Sequence, residues 1–242
     1  MVARRELSER QSALIRWCAG LGVVTAEALA VHDRSTVQSA RGRLADAERH
    51  RLTSAWRLLR DQPTIYTVTK RGLKLAGING IEPSRVSAGG ARHAILCCAA
   101  AVALESLYPD WLVLGEPAVR RLERESSRPL AEIGRLAPGS GTRAHHRPDL
   151  LLVDRREAGA PAVAVEVELT VKGTARLKSI CLAWARSRQV AGVIYLAAPD
   201  VMAPLRRAIQ SAGAEGRIVV LGLEALIDPP EAAQPASVAS QP

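Results

Sequence analysis

Four ionisable residues stand close together late in the chain: Asp149, Glu166, Glu168 and Lys172. Asp149 follows a proline and opens the apolar run Leu150 to Val153. Glu166 and Glu168 lie inside a second apolar run, Val163 to Leu169, and Lys172 lies just past its end. Side chains alternate along a strand, so Val163, Val165, Val167 and Leu169 share one face while Ala164, Glu166 and Glu168 share the other. Two carboxylates on one face repel unless a cation compensates them. A divalent metal held by Asp149 and Glu166 would do so, and Mg²⁺ or Mn²⁺ prefers such oxygen ligands. Glu116, at the end of an earlier strand, is a further candidate acid. At such a site the metal activates water for phosphodiester hydrolysis, and Lys172 would steady the phosphate or orient the water. The competing expectation is structural: Glu166 and Glu168 solvated at a strand end, or paired with Arg176 and Lys178. His145 and His146, in a Gly-rich loop, read as a solvated pair.

The elements that position these residues follow an α-β-β-β-α-β-α-β order. A helix at 91–107 leads to strands at Trp111–Leu114, Leu150–Val153 and Val163–Leu169. A helix follows from Thr174 to about Ser187, with Leu177, Ile180 and Trp184 on one face, then a strand, a helix and a strand. The early strands suit a meander, and the later alternation with helices favours parallel neighbours in a mixed sheet.

Upstream of a Pro/Ser/Gly-containing linker at 81–91, residues 1–80 carry a different pattern. Ser8 and Thr25 are expected to cap two helices, and Ser35 a third. In that third helix Val37, Ala40, Leu44 and Ala47 recur with the spacing of a buried face. Its other face carries Gln38, Ser39, Gly42 and Arg49, flanked by Arg41 and Arg43. Two strands joined by a turn near Arg57 and Arg60 follow, and Thr69 caps a short helix. That order is a winged helix-turn-helix. The small, polar outer face of the third helix suits a major groove. Gln38 matches adenine, and Arg41 or Arg43 matches guanine or phosphate. Ser35, Ser39, Arg57 and Arg60 complete the expected double-stranded DNA contacts. The same module could instead serve protein contacts.

Charge agrees with a polyanion partner: the net charge is +9 over 242 residues. Residues 1–80 hold 14 Lys/Arg against 7 Asp/Glu, so most of the surplus lies there. Arg outnumbers Lys, which occurs only at 70, 74, 172 and 178. Phe is absent, so the core must come from Ala, Val and Leu. Cys18, Cys97, Cys98 and Cys181 form no C-x-x-C pair, which argues for thiols in a reducing cytosol. The N-terminus lacks a signal-peptide core, and the longest apolar run is half a membrane span. A cytoplasmic protein with no membrane partner is expected, with residues 228–242 a disordered tail.

"HRPDLLLV" followed by "AVAVEVELTVKGTARLKSI" resembles the PD-(D/E)xK nuclease superfamily. More closely, the chain resembles the replication-relaxation family of bacterial plasmids and mobile elements, over roughly residues 8–225. The resemblance implies an α/β fold overall, a winged helix followed by a restriction-endonuclease-like domain at 92–227. It matches Asp149 to the motif aspartate and Glu166 to the acidic residue of the next strand. Where the motif lysine would stand, this chain has Glu168, and Lys172 is the substitute. Two functions follow as expectations. One is a DNA-processing protein in plasmid replication with a Mg²⁺- or Mn²⁺-dependent nuclease domain. The other is a DNA-binding replication or transcription regulator whose nuclease-like domain is inactive and serves as a homodimer or partner platform. A module that binds only protein is a third.

Overall fold

A computed structural model describes residues 6–136, 143–157 and 159–227. The tail 228–242 and the side chain of His145 lie outside the described residues.

The N-terminal part runs α1 (Glu9–Leu21), α2 (Ala26–His32), α3 (Val37–Arg49), β1 (Thr53–Trp56), β2 (Ile65–Val68) and α4 (Lys70–Leu75). Each helix begins where a hydroxyl satisfies an orphan backbone donor. Ser8 and Gln11 form a reciprocal capping box on α1, and Thr25 and Thr69 cap α2 and α4. Thr36 caps α3, one residue after the expected Ser35. The Ser35 N–H instead closes the α2–α3 turn onto the Ala30 carbonyl at 2.8 Å. Either hydroxyl suits a cap; the choice follows from turning Ala40, Leu44 and Ala47 into the core. There they meet Leu14, Ile15, Cys18, Leu29, Leu52 and Leu73. β1 and β2 form an antiparallel hairpin, and Val24 bridges to Tyr66.

The larger part runs α5 (Ala88–Leu107), β3 (Trp111–Gly115), α6 (Glu116–Ser126), β4 (Ile133–Leu136), β5 (Arg143–His146), β6 (Leu150–Asp154) and β7 (Ala162–Glu168). Then come α7 (Thr174–Arg186), β8 (Val190–Ala197), α8 (Pro199–Ala212), β9 (Ile218–Gly222) and α9 (Leu223–Ile227). The result is mixed α/β, with a five-stranded sheet in the order β3-β6-β7-β8-β9. β3, β6 and β7 are antiparallel, while β7, β8 and β9 are parallel, as the shift from meander to strand–helix alternation leads one to expect. β4 and β5 pair separately.

Each face of the sheet buries one layer. Val163, Val165 and Val167 pack with Ala100, Ala101 and Leu104 of α5. Ala164 and Leu151 pack with Leu177, Ile180 and Trp184 of α7 and Leu205 of α8. α5 starts at Ala88, inside the expected linker, because Ser87 caps it. By length and composition this 20-residue helix would pass for a membrane span, yet it is a core element here. Cys98 and Val102 on its other side join the N-terminal core, so α5 is shared by both parts of the chain. The two parts also meet at Gly115, where an added Cβ would lie 2.7 Å from the Gly20 carbonyl oxygen and 2.7 Å from the Leu21 Cα.

Candidate functional site

The alternation of β7 sends Glu166 and Glu168 to the face that α7 covers. Both are only 5% exposed. A buried carboxylate must be paired or hydrogen-bonded, and Glu166 Oε1 accepts from Trp184 Nε1 at 3.1 Å and lies 2.6 Å from His146 Nε2. The His146 ring stands edge-on to Trp184, with centroids 6.1 Å apart. Burial pushes Glu166 above the usual carboxylate range; the His146 bond and charge pull it back in part, and Asp149 adds to the rise. Burial pulls the His146 imidazole down, but the hydrogen bond and charge of Glu166 outweigh it and hold the ring above its usual value. Among the described residues Glu168 is ion-paired with Lys172, four residues on, rather than with a residue of α7. Lys172 is near enough for its charge to lower both Glu166 and His146.

Asp149 turns elsewhere. It sits in the bend before β6, where strand alternation does not govern its direction. The β6–β7 ladder ends at Leu150 opposite Val165. Beyond it, the Val167 N–H donates to Asp149 Oδ2 at 2.8 Å. His93 of α5 approaches the same oxygen, with Nε2 at 3.3 Å, and also the Val167 carbonyl at 3.0 Å. The hydrogen bond to Asp149 holds His93 above its usual value against the opposing effect of burial. Cys97, one helical turn on, has its Sγ 3.6 Å from His93 Nδ1.

Glu116 opens α6, and its Oε1 accepts from Arg120 at 2.6 and 3.0 Å. Asp149 and Glu116 both line a cleft of about 580 Å³ between the end of α1, residues 80–87, the start of α5 and α6. The expected oxygen ligands Asp149, Glu166 and Glu116 do not form one ligand group among the described residues; His93, Cys97 and Asp149 do. Mg²⁺ keeps several waters and demands octahedral oxygen ligation. The buried, already bonded Glu166 fits that demand poorly.

His93, Cys97, His146 and Trp184 entered the site without being singled out for it by sequence. His93 and Cys97 had a readable signal, an i, i+4 pair on a helix. His146 had none, since its neighbours suggested a loop whereas it ends β5.

At the other candidate surface, Ser35, Gln38, Ser39, Arg41 and Gly42 are exposed on or beside α3, and nothing lies within 4 Å of a Cβ placed on Gly42. Arg41 pairs with Glu27 at 3.1 Å, and half-buried Arg43 pairs with Asp33. Arg57 and Arg60 are exposed in the loop 57–64 between β1 and β2.

No protein-family model, curated protein or solved structure matches the chain.

Proposed function

We propose that the protein binds duplex DNA through residues 6–80, folded as a winged helix, and that residues 88–227 are a nuclease-derived domain acting as a regulatory platform without cutting. The observation that carries the first half is the outer face of α3: small and polar, with Gly42 open, while the exposed, arginine-bearing β1–β2 loop serves as the wing. A helix of that kind approaches a major groove closely, and a wing reaches backbone phosphates. Arg57 and Arg60 are the phosphate contacts in this reading, with Gln38, Ser39 and Arg41 toward the bases. The Arg41–Glu27 pair is solvent-exposed and costs little to exchange for DNA.

The second half rests on Glu166 and Glu168. Their oxygens are engaged by His146, Trp184 and Lys172, which supports a structural role for the acids a nuclease would use. The resemblance of "RPDLLLV" and "AVEVELTVK" to the replication-relaxation family supports nuclease ancestry and a role in plasmid or mobile-element replication, in the cytoplasm. The test is fluorescence anisotropy on labelled duplex DNA across a salt series. Affinity should fall steeply with salt as counterions are released. Arg57→Ala with Arg60→Ala should flatten the slope by about one for each phosphate that is no longer neutralised. Salt-independent binding, or an unchanged slope in the double variant, overturns the assignment of the DNA-binding surface.

A further inference from the structure

We infer that His93, Cys97 and Asp149 form a binding site for a thiophilic transition-metal ion of the zinc type, in the lining of the cleft between the N-terminal helices and the sheet. His93 and Cys97 are one turn apart on α5 and share a helix face. Asp149 reaches them from the bend before β6. One ligand atom from each of the three lies within 4.8 Å of the others. All three residues line the cleft of about 580 Å³, so an ion has a route in.

The spacing suits a tetrahedral ion. Metal–nitrogen and metal–oxygen bonds of about 2.1 Å and a metal–sulfur bond of about 2.3 Å place N and O about 3.4 Å apart and N and S about 3.6 Å apart. Here His93 Nε2 is 3.3 Å from Asp149 Oδ2 and 3.8 Å from Cys97 Sγ. These two distances need little adjustment for an ion to enter, and Cys97 Sγ and an Asp149 carboxylate oxygen lie within 4.8 Å of each other. The Val167 N–H already orients the aspartate at 2.8 Å. Nε2, the nitrogen nearer Asp149, takes the metal and gives up its contact with the Val167 carbonyl, and Nδ1 is left as the ring's donor. On binding, the Cys97 S–H bond breaks: its electron pair goes to the metal and its proton to solvent. The ligand set then carries two negative charges against a dication. Imidazole with thiolate selects zinc-like ions over Mg²⁺. Three protein ligands leave a fourth position facing the cleft, which Arg85 and Arg120 also line; an anion or water fits there.

This site does not depend on the DNA-binding reading. It also gives Asp149 a role unlike that expected for a carboxylate-ligated Mg²⁺ site. The test is titration of the full-length, phosphine-reduced protein with Co²⁺, read by the thiolate-to-cobalt charge-transfer absorption. One equivalent should produce the band. Zn²⁺ should displace it, and a hundredfold excess of Mg²⁺ should not. Cys97→Ser should abolish it, Asp149→Asn should weaken Co²⁺ affinity at least tenfold, and Cys181→Ser should leave it intact. His93→Gln gives a reading independent of the thiol, because it should lose the tetrahedral visible bands. No band in the wild-type protein, or a full band in Cys97→Ser, overturns the site.

Discussion

Removing the Glu166 carboxylate separates a structural acid from a catalytic one. Glu166→Ala leaves the Trp184 indole N–H, 0% exposed, without an acceptor, and His146 without its partner. A stranded buried donor costs about 1–3 kcal/mol, and a hydrogen bond to a charged group contributes about 1.5–3 kcal/mol. Breaking a buried ion pair from one side costs about 3–5 kcal/mol in all. Burial already disfavours the ionised Glu166, which offsets part of this. The expected loss is therefore near the lower end, about 3 kcal/mol, or about 6–12 °C in Tm for a protein of this size. Glu166→Gln keeps an acceptor for Trp184 and His146 and should cost only about 1 kcal/mol. Urea unfolding followed by tryptophan fluorescence at pH 7 measures both variants. An acid held in a repulsive ligand cluster behaves the opposite way, since relieving strain at a functional site stabilises the fold. Wild-type or greater stability in Glu166→Ala would refute the structural account of β7.

The His146 imidazole, held above its ordinary 6.5 by Glu166, contributes stability that is full below that value and is lost as pH rises through the folded-state value. An NMR titration of its ring should show a midpoint above 6.5, and one at or below 6.5 contradicts the pairing. Gly115→Ala forces a Cβ against backbone of α1 and should cost about 1–3 kcal/mol in urea unfolding; a neutral result would mean that α1 does not lie against β3. In the anisotropy assay, Arg57→Ala or Arg60→Ala should each weaken duplex binding by about 1 kcal/mol with no change in Tm.

Much of the sheet was legible in the chain because its strands are short apolar runs with clear alternation. Val163, Val165 and Val167 against Glu166 and Glu168 read directly as two faces, and both faces are as expected. The α3 face read equally well, because Ala40, Leu44 and Ala47 keep helical spacing. Alternation says nothing about a residue outside a strand. Sequence order alone therefore sets Asp149 beside Glu166, whereas the bond it accepts from the Val167 N–H holds it toward α5. α6 gives little apolar periodicity, since six of its 11 residues are charged and only Val119 and Glu123 are buried. β4 and β5 are four residues each, with Gly134 in one and two histidines in the other, and carry no strand periodicity. The ion pair of Glu168 with Lys172 was within reach of sequence; Arg176 and Lys178 were the competing partners, and the shorter reach prevailed.

The most direct measurement is incubation of the full-length protein with supercoiled and linear duplex DNA, in parallel with Mg²⁺, Mn²⁺ or EDTA, resolved on gels before and after protein removal. The account predicts retarded DNA before deproteinisation and intact supercoiled DNA after it, under every metal condition. Nicked or linear product that requires Mg²⁺ or Mn²⁺ and disappears in Asp149→Ala would contradict it.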